Sequence, residues 1–153
     1  MVFLTGCSSS ATSTDATRAP SDSAGSAASQ DPASWCADYF ARTSVLTGSL
    51  ASADTARAAL DEMGPIGQLW ADAAERGYVT SEELAATQPV LDATTAVLAL
   101  YAGGSTEDSE EVAAAQEELS SASAKGSALV ASANGKLRTL CAASTVSPSP
   151  TSS

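Results

Sequence analysis

Between residues 34 and 141 every sustained apolar repeat returns at three-to-four spacing, and none alternates with period two. Three-to-four spacing lines apolar side chains along one stripe of a helix, whereas a half-buried strand needs strict alternation. The chain is thereby confined to an all-α class. Its 153 residues are 44% apolar, enough for one small core and no second.

Four stripes follow one another. Asp31-Pro32 reads as an N-cap with proline at the first helical position, and Cys36, Tyr39/Phe40, Thr43, Leu46 and Leu50 then recur in phase. Helix 1 is expected to run to about Thr47 and stop at Gly48, with a longer helix through Ala53 as the alternative. Asp54 is expected to cap a second helix carrying Ala56, Leu60, Met63, Ile66, Trp70 and Ala73, ending at Gly77. Thr80-Ser81-Glu82-Glu83 has the form of a capping box, and the helix it opens carries Leu84, Leu91, Leu98 and Tyr101 before Gly103-Gly104.

Ser105 to Asp108 is expected to open a fourth helix whose stripe from Val112 to Leu140 continues past Gly126 and Gly135. At about 1.5 Å per residue that helix reaches roughly 54 Å, so its acidic first turns are expected to overhang or the helix to bend near Gly126. Pro65 and Pro89 both interrupt stripes, and each removes a backbone hydrogen bond and kinks or breaks its helix. In a hairpin centred on Tyr78 they stand nearly level. Short connections favour antiparallel neighbours, giving an up-down four-helix bundle.

The chemistry available to such a bundle is narrow. Seven basic against eighteen acidic residues give a net charge of −11, which disfavours nucleic acid and anionic lipid headgroups as partners. There is no histidine, which removes Ser-His-Asp and Cys-His catalysis and imidazole zinc sites. Glu107, Asp108, Glu110 and Glu111 lack the alternating ligand loop of a calcium hand and suit the start of a helix instead. The Gly103-Gly104-Ser105-Thr106 turn has no basic residue beside it to hold an anion, and no carboxylate pair has the aromatic surroundings of a sugar cleft. The reading is non-enzymatic, with no cofactor and no metal. Trp35, Tyr39 and Phe40 cluster at the start of helix 1, and Trp70, Tyr78 and Tyr101 are spread over helices 2 and 3; most of the six are expected in the core, and Tyr78, Trp70 and Tyr101 are the candidate contact residues, Tyr78 first because it sits in a loop.

The chain opens Met1-Val2-Phe3-Leu4-Thr5-Gly6-Cys7, and serines follow at once. Leu4-Thr5-Gly6-Cys7 resembles the lipobox of bacterial lipoproteins, over those four residues and the polar run after them. The resemblance implies that the Cys7 thiol receives diacylglycerol and that a lipoprotein signal peptidase removes residues 1–6. The acyl chains would then anchor the protein, each buried CH₂ contributing roughly 0.8 kcal/mol. A signal peptide carries a charged n-region and about 7 to 15 apolar residues, so the true start is expected upstream of the Met1 written here. Residues 7–33 then read as a lipid-anchored, disordered tether, rich in Ser, Ala and Thr, with a reach of about 28 Å. Residues 34–141 are the bundle, and residues 142–153 a disordered Ser/Thr/Pro tail.

Three cysteines leave one over after pairing. With Cys7 lipidated, Cys36 and Cys141 are free to form a disulfide, and export places them where such a bond persists. That pairing fits an even number of antiparallel helices, which returns the end of the last helix to the start of the first. Three helices would separate the cysteines by a helix length, and five would need a non-bundle crossing. The whole layout resembles small, functionally uncharacterised helical lipoproteins of actinobacteria. The resemblance implies a protein lipid-anchored at the extracytoplasmic face of the cell membrane. The expected function is an interaction module that offers an acidic bundle to an envelope protein or cell-wall partner. The alternative is a small-ligand or cation-binding lipoprotein using the level of Pro65 and Pro89, with Trp70 and Leu91 lining its pocket; a phage-encoded exclusion lipoprotein is a third reading.

Overall fold

The computed structural model describes residues 31–145, as four helices joined by short turns. Cys7, the remnant 1–6, most of the expected tether and the chain from residue 146 on lie outside the described residues. Helix α1 spans Pro32–Ser44, α2 Ala53–Glu75, α3 Ser81–Ala102 and α4 Glu110–Thr145, with a single 3-10 turn at Ser49–Ala51. They form the expected all-α, up-down-up-down bundle, and no strand occurs among the described residues.

Local chemistry accounts for most boundaries. The Asp31 carboxylate accepts from Ser34 N–H at 2.9 Å with Pro32 in the first turn, as the sequence predicts. Helix α1 ends at Ser44, short of Thr47, and the chain leaves through a turn in which Gly48 takes φ +75°, a conformation glycine adopts freely. Leu46 still packs on the core from the turn, so the apolar stripe continues past the end of the helix. The cap of α2 is Ser52 and not Asp54: Ser52 Oγ accepts from Thr55 N–H (3.2 Å) while Thr55 Oγ1 accepts from Ser52 N–H (3.0 Å). Asp54 sits in the first turn, where a carboxylate still complements the helix dipole.

Helices α2 and α3 end in the same way. Gly77 at φ +73° lets Tyr78 N–H reach the Ala73 carbonyl (2.8 Å), and Gly104 at φ +92° lets Ser105 N–H reach that of Leu100 (3.0 Å). Both are glycine-terminated Schellman turns. The helices pass through Pro65 and Pro89 without interruption.

Helix α4 departs furthest from expectation. It begins at Glu110, where Ser109 Oγ accepts from Val112 N–H (3.2 Å), so Glu107 and Asp108 lie in the preceding turn and only Glu110 and Glu111 are in the first turn. Its start does not overhang, since Val112 is fully buried against Ala56, Val97 and Tyr101. The surplus length lies at the opposite end. Glu83, near the start of α3, is level with Ser132 and Lys136, and α4 runs on from there to Thr145 beside α1. Residues 142–145, assigned to the tail by composition, and Pro32 and Ala33, assigned to the tether, are therefore helical.

Among the described residues, six of the nineteen buried apolar residues are alanine (Ala56, Ala59, Ala73, Ala93, Ala102 and Ala133), and Trp35, Ile66, Leu98 and Val112 are the largest fully buried side chains. Small residues let the helices approach closely, and α4 passes close to the α3 backbone at Gly126. A Cβ at that position would stand 2.8 Å from the Ala86 carbonyl oxygen, a backbone atom that cannot swing aside. Gly64 in α2 has open space around it. Gly126→Ala should therefore lower stability by about 1 kcal/mol or more through overpacking, while Gly64→Ala should raise it by about 0.5 to 1 kcal/mol through helix propensity. Urea unfolding of the two variants checks this, and equal gains for both would show that the helices do not meet at Gly126.

Candidate functional site

Both ends of the described chain meet at one end of the bundle, held by the Cys36–Cys141 disulfide with a Cα–Cα distance of 5.5 Å. Both cysteines are buried. The bond ties the first turn of α1 to the last turns of α4, and around it gathers an aromatic cluster. Trp35, completely buried, stacks on Tyr39 with ring centroids 5.2 Å apart and takes the edge of Tyr78 at 5.8 Å. Tyr39 also meets Phe40 (5.8 Å) and Trp70 (6.3 Å) edge to face. The Trp35 indole N–H is buried without a hydrogen-bond partner among the described residues, so the side chain is held by its apolar and aromatic neighbours. Burial raises the Tyr39 hydroxyl above its ordinary pKa, and the charge of Arg138 acts against that rise.

The three candidate contact residues divide. Tyr78 is half-buried on the glycine turn and stays within reach of solvent. Trp70 is packed in the core beside the disulfide, and Tyr101 is buried at the opposite end of the bundle, its hydroxyl 3.4 Å from Gln116. Leu91 packs against the core as well, so Trp70 and Leu91 fill space at the level of the two prolines. A groove beside Pro89 lies instead between α3 and α4, with Asp92, Glu118 and Lys125 on its walls. Among the described residues no group of three acidic or cysteine side chains could hold a metal ion, and no helix is long and apolar enough to cross a membrane.

Charge pairs lock this end of the molecule. Glu83 is almost wholly buried, yet it takes three partners: Thr80 N–H at 2.7 Å, Ser132 Oγ at 2.7 Å and Lys136 Nζ at 2.8 Å. One carboxylate thus closes the capping box of α3 and bridges to α4. On the other side Arg42 joins α1 to α2, with Nη1 2.7 Å from Glu62 and Nε 2.9 Å from Asp38, the latter a charge contact without hydrogen-bond alignment.

Two grooves flank the last turns of α4. One, open and about 640 Å³, runs between Gly77-Tyr78 and Gly135, Lys136, Thr139 and Leu140. The other encloses about 190 Å³ between Tyr39, Phe40 and Thr43 of α1 and Asn134, Leu137, Arg138 and Cys141 of α4. Phe40 stands 51% exposed on the rim. Of the Tyr39/Phe40 pair, Tyr39 is the one that packs against the core. Adjacent helical residues point about 100° apart, and that geometry was the signal that one of the pair faces out. Comparison with protein families, with curated proteins and with solved structures finds no match to this chain.

The Lys136 ammonium, the Thr80 N–H and the Ser132 hydroxyl hold the Glu83 carboxyl at about 2, well below its ordinary 4.5. A depressed folded-state pKa gives stability that is fully present above the unfolded value and lost as pH falls through the folded one. Melting temperature should thus fall between pH of about 5 and 2 more steeply for the parent than for Glu83→Gln, which has no charge to lose. Parallel declines in the two proteins would show that the buried carboxylate contributes nothing.

Proposed function

We propose that this chain is a lipoprotein, anchored through Cys7 at the extracytoplasmic face of the membrane, that presents its acidic bundle as a non-enzymatic interaction module to an envelope protein or cell-wall component. The observation that carries the reading is the cysteine usage. Cys36 and Cys141 are joined and buried, a state that persists in oxidising compartments and is rare in a reducing cytosol. That leaves Cys7 as the third cysteine, preceded by Leu4-Thr5-Gly6 and followed by serines, in the pattern of a lipidation site. The chain's lack of histidine also favours binding over catalysis.

The geometry suits display. Chain entry at Asp31 and chain exit at Thr145 share one end, so a tether attached there leaves the far end and the full length of α4, roughly 54 Å, projecting outward. Tyr78, on its glycine turn beside the open groove, is the contact residue best placed for a partner at the near end.

Expression in a bacterial host with a complete lipoprotein leader restored upstream of Leu4 tests the anchor. The parent should partition into detergent, and Cys7→Ala should remain in the aqueous phase or unprocessed. Equal partitioning of the two would overturn the anchor and with it the extracytoplasmic assignment.

A further inference from the structure

The 190 Å³ groove between α1 and α4 combines three properties. Its wall is aromatic and fixed: Tyr39 is held by Trp35, Trp70 and Phe40, and its floor, Leu137 and Cys141, is pinned by the disulfide. Its rim is apolar and solvent-facing at Phe40, the most exposed large hydrophobic side chain among the described residues. Its polar side is cationic. Arg138 and Asn134, one turn apart on α4, both line it, and no carboxylate does.

Arg42, Arg57, Arg76 and Lys136 each hold an acidic partner within 4 Å, whereas Arg138 and Lys125 have no ion pair among the described residues, in a chain of net charge −11, and of these two Arg138 lines this groove. Arg138 is thus the one arginine among the described residues outside an ion pair, and at the mouth of an aromatic groove it offers a complement to an anion, its guanidinium fork suiting a carboxylate. The enclosed volume is below the range of about 300 to 1,000 Å³ typical of drug-sized ligands, which sets the occupant at about a single ring.

We propose that this groove binds a small organic anion, a carboxylate carrying one flat apolar ring, with the ring against Tyr39 and Phe40 and the carboxylate at Arg138 and Asn134. The proposal is independent of the lipid anchor, because every residue it uses lies within the folded bundle. Rigid walls favour such binding, since little conformational freedom is lost when a ligand enters a preformed site.

The test uses the purified full chain with its disulfide intact, titrated with phenylacetate and followed by amide and side-chain NMR shifts. Saturable shifts are expected at Tyr39, Phe40, Asn134 and Arg138. Phenylacetamide, which keeps the ring and loses the charge, should bind at least about tenfold more weakly, as should acetate, which keeps the charge and loses the ring. Arg138→Gln should cost at least about tenfold in phenylacetate affinity, Arg138→Lys less because it restores the charge without the fork, and Lys125→Gln nothing. Both arginine variants change an exposed side chain, and their melting temperatures confirm that they fold. Absence of saturable shifts, equal binding of acid and amide, or undiminished affinity in Arg138→Gln would each overturn the proposal.

Discussion

An alanine-rich interior gives each helix a short reach into its neighbours, and the covalent bond between Cys36 and Cys141 makes up part of what the core lacks. Six of the buried apolar positions are alanine, with almost no side-chain area to remove from water. The disulfide joins positions 105 apart. In the chain-entropy model, closing a loop of about that size removes roughly 4.7 kcal/mol of freedom from the unfolded chain. Set against the roughly 5 to 15 kcal/mol by which small domains are stable, that is a large share. It also acts where it is needed most, because α1 is only 13 residues long and has fewer turns than its partners with which to hold on to the bundle.

Electrostatics repeats the same division of labour. The acids of α4 crowd its beginning, at Glu110, Glu111, Glu117 and Glu118, while its bases, Lys125, Lys136 and Arg138, stand toward its end. That order complements the helix dipole, and it places Lys136 and Arg138 near the disulfide end of α4. Lys136 is used internally: it pairs with Glu83, whose burial would be costly without three hydrogen bonds to its oxygens. Arg138, two residues on, faces a different side of the helix and is left for the groove. Neighbouring residues on one helix thus take separate tasks, one holding α3 and the other shaping a surface.

Much of the architecture was legible because its signals are local. The Asp31-Pro32 start, the Thr80 to Glu83 box and the glycines at 77 and 104 each specify backbone geometry within a few residues, and each is found where the sequence places it. The misplacements arise where two local signals compete. Ser52 and Asp54 are both good caps, and the hydroxyl of Thr55 decided for Ser52 by answering its N–H. Ser105 and Ser109 both stand before α4, and the chain took the later one because Val112 then falls into the core against Tyr101. Leu46 kept the stripe in phase while no longer helical. The groove was not legible at all, because it depends on which residues α4 places opposite α1, and that register is set by the distant contacts of Gly126 with Ala86 and of Glu83 with Lys136.

Those contacts explain why a surface feature can be as rigid as the core beneath it. Gly126 fixes the height of α4 along α3 by steric contact with a backbone oxygen, and Glu83 fixes it again two turns later by charge. The disulfide then fixes α4 to α1. With α4 held at three points, Asn134 and Arg138 cannot slide past Tyr39 and Phe40, and the space between them keeps its shape. Arg42 secures the opposite edge of α1 through Glu62 of α2, so the helix carrying the aromatic wall is held from both sides. Side chains that an all-small core could not position by packing alone are positioned here by a few strong contacts spaced along two helices.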